Sequence, residues 1–215
     1  NLHKTMIIIL PAYVIKNILY RILLVTEKNG DHFRCDPGKE NMAMVLRKEI
    51  PLHIHAHRSD DICTAIRIAK EYDIRIVIVH CTDGIDIAEH IAASGFPAIV
   101  GPSMNPCSKQ EVWNKSFETA GILNRAGVKV CITADHDVTP LYYLPIYAAM
   151  AVRFGMDDAE ALRAVTSYPA EILGIDDRKG ALVSGKDADL VIWSHHPFDI
   201  HAKAEHVFIE GKQEC

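Results

Sequence analysis

Several classes of protein are disfavoured by what this sequence lacks. Its 215 residues carry 23 lysines and arginines against 28 aspartates and glutamates, so there is no positive excess of the kind that binds nucleic acid. None of the six cysteines forms a CxxC pair. We therefore expect buried, reduced thiols in a cytoplasmic protein rather than a disulfide framework. Hydrophobic residues make up 49% of the chain, which is enough for one sizeable core.

An apolar run free of charges and long enough to cross a membrane is also missing. The most apolar segment, Met6–Val25, contains Lys16 and Arg21, whereas a spanning helix needs about 20 residues with few or no charges. We predict an amphipathic helix there, with a membrane anchor as the weaker alternative. Residues 26–41 are polar and carry two turn signals. Residues 1–41 are therefore predicted to be an N-terminal helix and a polar loop.

From residue 42 onward, β-branched runs alternate with segments of helical periodicity. Strands alternating with helices of this length form parallel βαβ units, so we predict an α/β fold with a parallel sheet. Four strands are predicted, at Leu52–His55, Arg75–Val79, Pro97–Val100 and Val128–Thr133. Helices are predicted at Met42–Lys48, Asp60–Tyr72, Asp83–Ala93, Lys109–Ala126, Leu141–Phe154 and Asp157–Leu173.

The last part of the chain follows a different pattern. Residues 179–215 are rich in turn residues and contain two short apolar runs, Leu190–Trp193 and His206–Gly211, with no helical segment between them. This pattern predicts a small antiparallel element beside the parallel sheet.

Polar side chains stand where three of these strands should end. The runs are PLHIHAH at residues 51–57, IRIVIVHC at 74–81 and VKVCITADHD at 128–137. In parallel (β/α) barrels, active-site groups lie at the C-terminal ends of the strands. Imidazole and carboxylate groups are also ligands that zinc and similar ions choose. The sequence therefore predicts a metal-dependent hydrolase with its site at these strand ends.

Each candidate residue also has a structural interpretation. His53, His55 and His57 alternate, so they share one face of a strand. One of them is expected to bind metal, and the others to contact substrate or to line the mouth of the barrel. His80 is a candidate ligand whose alternative is a hydrogen-bonded core histidine. Asp135 is a candidate catalytic residue whose alternative is a cap for the following helix.

A longer motif resembles a known family. The segment ALRAVTSYPAEILGIDDRKGALVSGKDADLVIW (residues 161–193), followed by VFIEGK (207–212), resembles the C-terminal signature of the metal-dependent amidohydrolase superfamily, in particular its imidazolonepropionase-like members. HIHAHRSDD, IVIVHCTDG and ITADHDV resemble the ends of strands five, six and eight of that family. The resemblance implies the C-terminal half of a (β/α)8 TIM barrel, strands five to eight, over residues 42–178. It also implies a few strands of a C-terminal β-sandwich element over residues 179–215.

The resemblance implies roles for three residues. His55, His80 and Asp135 match the ligands of a divalent metal at the ends of strands five, six and eight. Asp135 also matches the general base that activates the attacking water. Zinc is the expected ion, and iron or manganese would fit the same ligand types. The implied activity is hydrolysis of C–N bonds in small molecules, either cyclic amides or N-acyl and dipeptide-like compounds.

One part of the family pattern is missing. Family members carry a His-x-His pair at the end of the first barrel strand, and many use a modified lysine on strand four. Before residue 50 neither is found, and His3 stands alone. We therefore expect a truncated form in which the metal can be absent, with a catalytically inactive barrel fragment acting as a structural or binding module as the alternative. The exposed edges of a half barrel predict association with a second copy of the chain.

Overall fold

A computed structural model describes residues 6–8 and 37–214. These residues form a parallel sheet of five strands, ordered as in the chain, and a separate antiparallel sheet of three strands. The α/β class and the antiparallel element in the tail are thereby confirmed. The parallel strands are β1 (Met6–Ile8), β2 (Leu52–Ala56), β3 (Ile76–His80), β4 (Ala98–Val100) and β5 (Val130–Ile132). The antiparallel strands are β6 (Leu190–Trp193), β7 (Ala204–Ile209) and β8 (Lys212–Gln213).

Helices fill the connections between the parallel strands and follow the last of them. They are α1 (Pro37–Leu46), α2 (Ser59–Glu71), α3 (Ala88–Ser94), α4 (Thr119–Arg125), α5 (Leu144–Arg153), α6 (Asp158–Ala164) and α7 (Ser167–Leu173). Short 3-10 segments lie at Thr82–Ile87, Gln110–Val112 and Leu141–Tyr143.

The two faces of the parallel sheet have different roles. Leu52 and Ile54 of β2 point to one face, as do Ile76 and Ile78 of β3, and all four belong to the hydrophobic core. This core also takes the apolar stripe of α2, which recurs at the spacing of one helical face. His53 and His55 lie on the other face of β2, because successive side chains in a strand alternate. The helix-covered face therefore anchors the strands, and the opposite face carries the polar candidates.

The N-terminal prediction is wrong where the structure describes it. Met6–Ile8 forms a strand paired in parallel with β2 instead of the start of a helix, so the sheet has five strands and not four. α1 begins at Pro37, inside the segment that was predicted to be a loop to residue 41. Proline is favoured at the first position of a helix, because its missing N–H has no partner there. The remainder of the predicted amphipathic helix lies outside the described residues.

Two predicted helices are interrupted. Residues 109–126 form a 3-10 turn and then α4. Between them Lys115 and Ser116 line a cavity, and Lys115 bonds the carbonyls of Asn105 and Pro106. Residues 157–173 split into α6 and α7. Pro169 explains this split, since it cannot donate to residue 165 and would clash with that carbonyl in a continuous helix.

In the described ranges, no helix is both long and apolar enough to cross a membrane. Cys63, Cys81, Cys107 and Cys131 are free thiols. Burial raises the pKa of both Cys81 and Cys131 to about 12, so these two thiols stay protonated at neutral pH.

Candidate metal centre and active site

Three imidazoles meet at the carboxyl ends of β2 and β3. The ring centroids of His55 and His80 are 4.3 Å apart, those of His57 and His80 4.6 Å, and those of His55 and His57 4.8 Å. One nitrogen from each ring lies within 4.8 Å of the other two. The nitrogens around a tetrahedral zinc ion are roughly 3.3 Å apart, as follows from Zn–N distances of 2.0–2.1 Å. The rings would therefore have to move closer together to bind one ion.

His80 departs from the alternation of its strand. Alternation along β3 would direct His80, which pairs with Ala56, to the same face as Ile76 and Ile78. Its ring instead lies against His55 and His57. The backbone of His80 has φ 74°, in the left-handed region where few non-glycine residues are found. Unusual backbone of this kind is concentrated at functional sites.

A hydrogen bond fixes the tautomer of His80. Its Nδ1 lies 2.6 Å from the carbonyl oxygen of Gly101, in a buried position. Because a carbonyl only accepts, Nδ1 carries the proton in the neutral ring, and that tautomer has its free lone pair on Nε2. Histidines that bind metals are oriented in this way, with the second nitrogen donating to a carbonyl or carboxylate. The chemistry of His80 therefore fits a metal ligand.

His57 is held by Thr82. Its Nδ1 lies 2.7 Å from the Thr82 hydroxyl, and Thr82 is only 5% exposed. Burial, followed by the proximity of His80 and His55, lowers the pKa of His57 to about 3. The ring is therefore neutral at pH 7, which is the form that binds metal.

His55 and Asp135 both line the cavity, and the charge of Asp135 acts on the pKa of His55. Burial is the main cause that lowers the pKa of His55, and the charge of Asp135 acts in the opposite direction. Asp135 lines the same cavity as the three histidines but is not one of the group whose ligand atoms lie within 4.8 Å. Its φ of 53° is left-handed, a conformation that aspartate tolerates better than most residues. The predicted residues are thus brought to one cavity, and His57 joins them.

A loop forms most of the wall of this cavity. The cavity has a volume of about 260 Å³, and residues 101–118, between β4 and α4, supply more of its lining than any other segment. The loop contributes serines, an asparagine, two lysines and a glutamate to the lining. The sequence prediction did not include this loop in the site, because residues 109–126 were predicted to be helical. The serines and the asparagine that follow β4, in residues 103–108, were a signal for a lining loop.

The two lysines of the loop differ. The Lys115 ammonium donates to the carbonyls of Asn105 and Pro106, at 3.2 and 3.3 Å, and burial lowers its pKa. It therefore closes the loop on itself. Lys109 stands 3.7 Å from a carboxylate oxygen of Glu111, and its side chain is 72% exposed. This contact is an ion pair without a short hydrogen bond, so the Lys109 ammonium keeps N–H donors that can reach a ligand.

Comparison with known proteins gives a consistent result. Residues 42–213 match the model of the amidohydrolase family. An amidohydrolase from Thermotoga maritima MSB8 has a crystal structure that superimposes with a TM-score of 0.86 at 38% identity, over 95% of this chain and 55% of that one. An adenosine deaminase from Xanthomonas campestris, solved with bound zinc, gives 0.60 at 25% identity, over 83% and 48%.

A curated relative is similar over a shorter span. The imidazolonepropionase of Brucella suis biovar 1 (strain 1330) is 31% identical over 166 residues, which are 76% of this chain and 38% of that protein. The chain therefore spans between 38% and 55% of the length of these relatives.

Proposed function

This chain belongs to the amidohydrolase family, and we propose that it hydrolyses C–N bonds with a divalent metal, or forms the part of an enzyme that does so. The observation that carries the proposal is the cluster of His55, His57 and His80 at adjacent strand ends, with the Nε2 of His80 left free by the Gly101 carbonyl. Imidazole nitrogens suit zinc, iron and manganese, so the donor set fits the expected ion.

The roles follow from the positions of the side chains. His55 and His80 would hold the ion, and Asp135, which lines the same cavity, would add a carboxylate. When bound, the ion supplies a Lewis acid that polarises the scissile carbonyl and lowers the pKa of water toward about 7. Asp135 takes the proton of the attacking water and delivers it to the leaving nitrogen, so a single carboxylate acts first as base and then as acid.

The lining of the cavity favours the N-acyl or dipeptide-like class over neutral cyclic amides. Lys109 lines the same cavity as the histidines, and its charge is the smallest of the causes of the lowered pKa of His55 and of His57. A substrate carboxylate would pair with this ammonium while its amide lies at the histidines. We therefore expect substrates that carry a carboxylate near the scissile bond.

Hydrolysis assays with the zinc-loaded chain test this proposal. The probes are N-acetyl-leucine, its uncharged carboxamide, and dihydrouracil as a cyclic amide. We expect turnover of N-acetyl-leucine in preference to the carboxamide, and Asp135→Asn to lower kcat by about 100-fold or more, since general base catalysis contributes about 10²–10⁴-fold. Asp176→Asn, at an exposed turn, is the matched control and should leave kcat unchanged. Zinc bound without turnover of any probe would instead support the binding-module alternative.

A further inference from the structure

The turn that follows β3 is hydrogen-bonded to the end of β2. The Cys81 N–H donates to the carbonyl of Ala56 at 3.0 Å, and the Asp83 N–H donates to the carbonyl of His57 at 2.8 Å. The Thr82 hydroxyl between them bonds the imidazole of His57. Residues 81–83 therefore hold both the backbone and the ring of one histidine of the cluster.

This turn is also tightly packed. A Cβ at Gly84 would lie 2.6 Å from the Cys81 sulfur, which is fully buried, and 3.3 Å from the side chain of Leu123 in α4. Real contacts are not that short, so the turn has little freedom to shift relative to the core. A side chain on this turn therefore has a defined position from which it can hydrogen-bond neighbouring segments.

The Asp83 carboxylate uses this position to join two further segments. Its Oδ2 accepts the N–H of Ser59, the first residue of α2, at 3.2 Å. Its Oδ1 accepts the side-chain amide of Asn114 at 3.0 Å. Asn114 belongs to the loop 101–118 and precedes Lys115, the residue that closes that loop on itself. One carboxylate thus links the histidine turn, the start of a helix and the wall of the cavity.

We propose that Asp83 is a positioning residue that holds the loop 101–118 against the histidine cluster. Its side chain is not part of the cavity lining, and its carboxylate bonds Ser59 and Asn114 instead of a histidine ring. It acts through Asn114 on the loop and through its own backbone on His57. Its effect on turnover rests on the proposed function, whereas its effect on the position of the loop does not.

An exchange of the two side chains tests the proposal. In Asp83→Asn the new amide oxygen still accepts the N–H of Ser59. Its NH₂ group then faces the NH₂ group of Asn114, so neither has an acceptor and the bond between positions 83 and 114 is lost. Asn114→Asp places two carboxylates together. The double variant Asp83→Asn/Asn114→Asp restores the bond with the donor and acceptor reversed and the net charge unchanged. Asp86→Asn, exposed on the same turn, is the control.

Hydrogen exchange of the backbone amides gives a readout that does not depend on activity. We expect amides in residues 102–118 to exchange about five-fold faster in each single variant and at the normal rate in the double variant, because loops held by few bonds open at low cost. Exchange in α2 should stay normal in Asp83→Asn, which shows that the helix start is intact. Normal exchange of the loop in both single variants would overturn the proposal, as would failure of the double variant to restore it.

Kinetics then separate positioning from a general loss of structure. We expect each single variant to raise the KM for N-acetyl-leucine by about three- to ten-fold with kcat within about two-fold, and the double variant to recover, since the loop forms binding surface and not the reacting groups. Equal losses in kcat and in zinc content would contradict this role. If the native chain turns over no probe, the proposed function fails, and the exchange rates alone decide whether Asp83 holds the loop.

Discussion

The two sheets of this protein are built from similar residues but in different surroundings. Ile54 and Ile78 of the parallel sheet are 1% and 0% exposed, whereas Val191 and Ile192 of the antiparallel sheet are 39% and 44% exposed. The parallel strands pack against helices on one face of their sheet, so the ends of these strands are held in place. The described residues of β6–β8 contribute nothing to the lining of the cavity. A strand end can carry a site of defined geometry only where the rest of the strand is fixed by packing.

The largest expected difference between the sheets is in stability. Ile78→Ala should lower the free energy of unfolding by about 3–4 kcal/mol, because it removes a fully buried side chain and leaves a cavity. Ile192→Ala, the same change at a half-exposed position, should cost less than about 1 kcal/mol. Denaturation by urea measures both values. Equal losses at the two positions would contradict the distinction between a packed sheet and an exposed one.

A smaller effect concerns pH and His53, which lies on the histidine face of β2. It is 3% exposed, its Nε2 has no partner among the described residues, and burial lowers its pKa to about 4. Between about pH 6.5 and 4 the unfolded chain binds a proton that the folded chain does not, so stability falls as the pH falls through this window. The loss approaches about 1.4 kcal/mol per pH unit for this one group.

Two substitutions isolate the contribution of His53. His53→Leu should reduce the slope of unfolding free energy against pH between 7 and 5 by up to about 1.4 kcal/mol per pH unit, while His57, whose pKa is also lowered, keeps contributing to the remaining slope. His195→Leu, at an exposed position in the tail, should leave that dependence as in the native chain. Urea denaturation at each pH gives the slopes, and an unchanged slope in His53→Leu would show that folding does not lower the pKa of this histidine.

The comparison of the sheets also explains what the sequence could predict. β2 and β3 were located to within a residue or two, because their β-branched runs are buried and their ends are marked by histidines. His55, His80 and Asp135 were placed at one cavity for the same reason. Alternation along a strand does not predict that the ring of His80 joins His55 and His57, since that depends on a left-handed backbone at the last residue of β3.

Other features depended on tertiary contacts that a local pattern does not contain. The role of His57 depends on the hydroxyl of Thr82, which lies in the connection after β3, 25 positions further along the chain. The cavity-lining part of the loop 101–118 has helical periodicity, but Lys115 finds its partners in loop carbonyls instead. Met6–Ile8 looks like the start of an apolar helix, and only its pairing with β2 identifies a strand. Long-range contacts of this kind routinely override local propensity.

The central claim is that the strand ends of the parallel sheet form a metal site, and zinc content tests it most directly. The purified 215-residue chain would be stripped with a chelator, reloaded with zinc, desalted and measured by elemental analysis, beside His55→Ala, His80→Ala and the tail control His195→Ala. We predict roughly one zinc per native chain, with loss to background in the first two variants and retention in the control, because two imidazoles and the Asp135 carboxylate would match the number of protein ligands in a catalytic zinc site. Background zinc in the native chain, or full zinc in His55→Ala and His80→Ala, would contradict the account.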